Sequence, residues 1–156
     1  MEKYESINEI LNDLVKINND RIAGYQRAIN ESKDLDIDLK AIFESMIRES
    51  TQYKTELSEL ILKNGGAVED ETTSSGKIYR AWMDIKSTFT DTDRHSILES
   101  CEFGEDAAQR AYDAALTSEL LLDDEVRKLV TDEKASLQRS HDLIRKQLDA
   151  HKALQK

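Results

Sequence analysis

The sequence predicts an all-α domain, a four-helix bundle whose second and third long helices are joined by a long crossover. Three observations predict it. The chain contains no proline, which costs about 3 kcal/mol inside a helix, so long uninterrupted helices are open to it. Apolar residues return every three or four positions through four long segments rather than alternating as in strands. Two of the three connections between those segments are short, whereas the one between the second and third takes about 28 residues.

The first segment, from about Tyr4 to Ser32, places Ile7, Leu11, Leu14, Asn18, Arg21, Tyr25 and Ala28 on one line. Ser32 to Asp38 admits only a turn. In the second segment Leu39, Ile42, Met46, Glu49, Tyr53, Glu56 and Leu60 step by three and four, and Asn64-Gly65-Gly66 ends the helix. A loop from Gly65 to about Gly76 follows. Ile78, Trp82, Ile85 and Phe89 then predict a short amphipathic helix inside a crossover over residues 65–91. Asp91 and Asp93 offer caps for the third long helix, whose line is Leu98, Cys101, Glu105, Ala108, Tyr112 and Ala115. A brief connection near Thr117 to Asp124 leads to the fourth, with Val126, Val130, Glu133, Leu137, His141, Ile144 and Leu148. A helix of about 28 residues is about 42 Å long, and a crossover can return along that length so that helices two and three run parallel.

Composition bounds the function. With 156 residues the chain suits one domain, 1–156. Its formal charge of -10 repels phosphate backbones and anionic membranes. The start of the sequence lacks a basic segment followed by an apolar run, and nowhere do about 18 apolar residues follow one another, so the expected location is cytoplasmic. The lone cysteine, Cys101, excludes an internal disulfide or a multi-cysteine metal site, and its place on an apolar line makes it a packing residue. No glycine-rich phosphate loop or nucleophile elbow is present.

The informative residues are the polar ones on the inner lines. Asn18, Glu49, Glu105 and Gln138 or His141 fall near their helix midpoints, so they are expected to meet in one layer. A buried carboxylate costs several kcal/mol unless paired, hydrogen-bonded or metal-bound. Glu56 and Glu133 are expected to pair with Arg21 or another long cation. Tyr25, Tyr53 and Tyr112 read as core residues with hydrogen-bonded hydroxyls.

This layer resembles that of the ferritin-like superfamily, in which four-helix bundles hold a carboxylate-bridged di-metal centre using one Glu from each of two helices and a Glu-x-x-His pair from each of the others. Glu49-Ser-Thr-Gln52 and Gln138-Arg-Ser-His141 look like altered pairs, and Asn18 and Glu105 match the single-ligand positions. The segments NNDRIAGY, YRAWMDIKS and CEFGEDAAQRAYDAAL are similar to a bacterial ferritin-like family of unknown function, loosely linked to stress responses. The resemblance implies a metal set of Glu49, Glu105 and His141, supported by Asn18, Gln52, Glu102 and Gln138, with iron or manganese as the metal. Glutamine and asparagine at three of the ligand positions leave that set short of a conventional di-iron site. Three readings therefore stand side by side: a single-metal site, a dinuclear oxidase and a metal-free hydrogen-bond network. The alternative to metal chemistry is a structural or interaction protein that forms a homodimer or docks a partner, with the Trp82 helix as the place to look.

Overall fold

The computed structural model describes residues 2–31, 37–71, 94–118 and 124–154. Four helices account for nearly all of them: α1 (Glu2–Glu31), α2 (Ile37–Lys63), α3 (Arg94–Thr117) and α4 (Asp124–Leu154). Among the described residues no helix is long and apolar enough to cross a membrane.

Contacts between side chains fix the direction of each helix. Asn8 meets Asn64 and Arg21 meets Ser50, so α1 and α2 are antiparallel. Glu102 meets Arg145 and Tyr112 meets Glu133, which makes α3 and α4 antiparallel as well. Tyr25 meets Glu105 and Asn18 meets Tyr112, so α3 also runs against α1. Helices α2 and α3 therefore point the same way. Residues 64–71 turn back along α1. Asn12 Nδ2 donates to the Ala67 carbonyl and accepts from the Glu69 amide through Oδ1, while Asn19 Nδ2 reaches Asp70. The short helix expected around Trp82 lies outside the described residues.

The turn that starts the return is built by two glycines. Gly65 sits at φ 80°, in the left-handed region that glycine enters without steric cost. Its amide bonds the Leu62 carbonyl and the Gly66 amide bonds that of Ile61, the paired bonds of a Schellman C-cap. Any Cβ on Gly66 would run into the Asn8 amide, so this glycine lets the turn lie against α1.

Two apolar clusters form the core. One gathers Ile7, Leu11, Leu14, Tyr53, Leu57, Tyr112, Val130 and Leu137. The other gathers Tyr25, Leu39, Phe43, Met46, Leu98, Cys101, Ile144 and Leu148. Between them lies a polar layer that includes Asn18, Arg21, Ser50, Glu105 and Ser140, all buried.

The inner lines of α1 and α3 are those the spacing predicts, and every residue on them is buried. On α2 and α4 the buried face is turned by one residue at several positions. Phe43, Ser50 and Leu57 are buried on α2, while Ile42, Glu49 and Glu56 are half-buried. Ser140 is buried on α4, and His141 stands on its flank. Steps of three and four fit either line equally well, and the bulk of Phe43 and Leu57 decides which one faces the core.

Candidate functional site

Arg21 is the centre of the polar layer. Its place on the inner line of α1, between Leu14 and Tyr25, drives a long cationic side chain into the bundle, where it is 1% exposed. Each guanidinium nitrogen has a partner. Nε donates to Glu105 Oε1 at 2.6 Å. Nη1 donates to Ser50 Oγ at 2.9 Å and lies 2.8 Å from Glu49 Oε1. Nη2 donates to Met46 Sδ at 3.3 Å, and the Tyr25 ring lies beneath the guanidinium carbon, 5.6 Å from its centroid. Burial alone would push Arg21 toward losing its proton; Glu105, Tyr25 and Glu49 reverse this, so it stays firmly charged.

The two carboxylates are stabilised differently. Glu105 is fully buried and accepts from Arg21 and from the Tyr25 hydroxyl at 2.7 Å, both on Oε1, while Oε2 has no hydrogen-bond partner among the described residues. Glu49 is half-buried and takes two hydroxyl donors from α4, Ser140 at 2.7 Å and Ser136 at 2.9 Å, in addition to Arg21. These bonds join all four helices through one cation. Because a charged donor or acceptor takes part in each, they are stronger than neutral ones.

A second arm leaves Arg21 through Ser50, whose hydroxyl donates to Asn18 Oδ1 at 2.9 Å. Asn18 Nδ2 donates to the Tyr112 oxygen at 2.9 Å, and the Tyr112 hydroxyl donates to Glu133 Oε1 at 2.7 Å. Burial and the adjacent Glu133 hold the Tyr112 hydroxyl well above its usual range, so it remains a donor. Tyr53 departs from expectation: its hydroxyl is buried beside Ser136 and Glu49, near enough for both to act on its titration but outside hydrogen-bond geometry with any described residue.

The residues of the expected metal set are thus divided. Glu49 and Glu105 come together, with Arg21 between them. His141 Nε2 lies 2.5 Å from Asp106 Oδ1, on the flank shared by α3 and α4. Glu102 pairs with Arg145 at 2.9 Å, and Gln52 and Gln138 are exposed, Gln138 donating to Asp142. Asn18 belongs to the second arm. Among the described residues no three His, Cys, Asp or Glu side chains form a group able to hold a metal ion. The expected pairing of Glu56 and Glu133 with Arg21 or another long cation is also corrected: the carboxylate partners of Arg21 are Glu49 and Glu105, and Glu133 belongs to Tyr112. Ser50, Ser136 and Ser140 were missed in the sequence, where small hydroxyls at helical spacing are quieter than neighbouring glutamates and histidine. Cys101 is the packing residue that was expected, its thiol pushed well above the usual range by burial and by Glu105.

A family model described as a domain of unknown function, DUF2383, matches residues 6–118. The chain belongs to this family. The DUF2383 match covers α1 to α3 and stops before α4, although Ser136 and Ser140 of α4 complete the coordination of Glu49. No curated protein matches the chain. Among solved structures, a Mycobacterium smegmatis Dps1 mutant aligns with a TM-score of 0.77 at 12% identity, covering 94% of this chain and 97% of that one. A Bacillus anthracis protein described as ferritin like and diiron-carboxylate aligns with a TM-score of 0.65 at 18% identity, covering 96% and 97%. At these identities the likeness establishes the fold, a ferritin-like four-helix bundle.

Proposed function

We propose that this DUF2383 protein is a structural or interaction bundle, in which the guanidinium of Arg21 stands where the ferritin-like resemblance implied a metal ion. One observation carries this reading: a fully buried guanidinium contacts Glu105 at 2.6 Å and Glu49 at 2.8 Å, the two carboxylates best placed to be ligands. A fixed cation between two carboxylates opposes a divalent ion there by direct repulsion, which low dielectric surroundings strengthen. The remaining donors do not repair the deficit, because His141 is turned to Asp106 and Gln52 and Gln138 face outward. The donor set does not fit a carboxylate-bridged di-metal centre.

On this reading the layer gives the bundle specificity of register, since all four helices must align for Arg21 to find its partners. Any contribution to stress responses then runs through contacts with other proteins, self-association included, rather than through iron chemistry. Elemental analysis of natively purified protein, with anaerobic ferrous and manganous titrations and sedimentation velocity alongside, tests this. The expected result is no stoichiometric metal and a concentration-dependent dimer. Near-stoichiometric metal, lost in folded Glu49→Ala and His141→Ala variants, would overturn the metal-free centre, and a monomer at every concentration would remove self-association.

A further inference from the structure

The second arm of the network runs one way. Arg21 donates to Ser50, Ser50 to Asn18, Asn18 to Tyr112 and Tyr112 to Glu133. Each donor is spent in the direction of Glu133, which is 2% exposed and ends the chain. Tyr112 supplies Oε1 with one hydrogen bond, while Oε2 is buried with no partner in hydrogen-bond geometry among the described residues. An ionised carboxylate in that position would have given up its hydration for a single bond.

Among the described residues the groups around Glu133 offer no compensating charge. From α1, the nearest cation of the network is Arg21, already claimed by Glu105 and Glu49. From α2 comes the like charge of Glu56, and from α3 the neutral Tyr112. Ser136, one turn along α4, donates its hydroxyl to Glu49 instead. Glu56 is half-buried and borders a cleft of about 310 Å³, shared with Leu60, Lys63, Glu125 and Leu129, so a proton at this point has a route to water.

We infer that Glu133 is held as a neutral carboxylic acid, its proton on the buried Oε2, at the seam where α4 passes Glu56 of α2. Burial, opposed by the Tyr112 bond and reinforced by Glu56, accordingly raises Glu133 to about 9. The sign of the linkage follows. Between the usual carboxylate range and about 9 the folded chain keeps a proton that the unfolded chain has released, so this group's support for folding is greatest at acid pH and declines as pH rises. The decline approaches tenfold in the folding constant per pH unit. It does not depend on whether the Arg21 layer is metal-free.

Denaturant unfolding of the full chain from pH 5 to 9, with Glu133→Gln and Glu56→Gln beside the wild type, tests the inference. Glutamine reproduces the shape and neutrality of the acid. The Glu133→Gln chain is expected to gain on the wild type by up to about tenfold in folding constant per pH unit. Glu56→Gln, which removes the like charge, is expected to shorten the declining range. Infrared spectra at pH 7 should contain the carbonyl band of a protonated carboxylic acid, absent from Glu133→Gln. Parallel pH profiles for Glu133→Gln and wild type would overturn the inference. So would a wild-type spectrum without that band, which decides the matter even if the variants fail to fold.

Discussion

Arg21 and Glu105 form an ion pair sealed from solvent, 2.6 Å between Nε and Oε1, with side chains 1% and 0% exposed. Taking two charges out of water is costly, and breaking such a pair from one side costs more because it strands the other charge. Arg21→Met is therefore expected to lower stability by about 3–5 kcal/mol, as read from denaturant unfolding. Combining Arg21→Met with Glu105→Gln should recover a large part of that loss. If the double variant is no better than the single one, stranded charge is not the cause.

Tyr112 and Tyr53 make a controlled comparison. Both rings are buried, yet only the Tyr112 hydroxyl is hydrogen-bonded, to Asn18 and Glu133. Tyr112→Phe leaves two buried groups short of a partner and should cost about 1–3 kcal/mol. Tyr53→Phe removes a hydroxyl that has no bond to lose, and its unfolding midpoint should stay level or rise. Equal losses for the two would contradict the network as described.

The C-cap of α2 separates two kinds of glycine requirement. Gly65→Ala meets no atom within 4 Å but must hold a left-handed φ of 80°, at a cost of about 1 kcal/mol. Gly66→Ala has ordinary backbone geometry and instead displaces the Asn8 side chain. Asparagine tolerates the left-handed region better than alanine, so Gly65→Asn should recover part of the loss while Gly66→Asn should recover none.

Cys101 is buried and its thiol is held well above the usual range, so little thiolate exists at neutral pH. A thiol reagent should label it at the rate of unfolding, accelerating steeply with denaturant. Rapid labelling in native buffer would mean that the core around Leu98 and Ile144 opens without global unfolding.

The fold was legible because the lines of α1 and α3 each have one good solution: Ile7 to Ala28 and Leu98 to Ala115 are buried residue for residue. The break at Asn64-Gly65-Gly66 was equally plain, since glycine there has a definite conformational role. The site was only partly legible. Asn18, Arg21 and Glu105 could be placed in the interior from spacing alone. Whether α2 presents Glu49 or Ser50 to the core, and α4 Ser140 or His141, depends on the rotation of each helix, set on α2 by the burial of Phe43 and Leu57. Which turn meets Arg21 depends on height across the bundle. Periodicity along one helix carries no information about height on another. That is why spacing offered Arg21 or another long cation to Glu56 and Glu133, on neighbouring turns, when the carboxylate partners of Arg21 are Glu49 and Glu105.

The central claim is that Arg21 is the resident cation of the layer. Anomalous diffraction from crystals grown with excess manganese would test it most directly. The account predicts density for the guanidinium between Glu49 and Glu105 and no anomalous peak within bonding distance of either carboxylate. A peak bridging Glu49 and Glu105, with Arg21 swung aside, would contradict it.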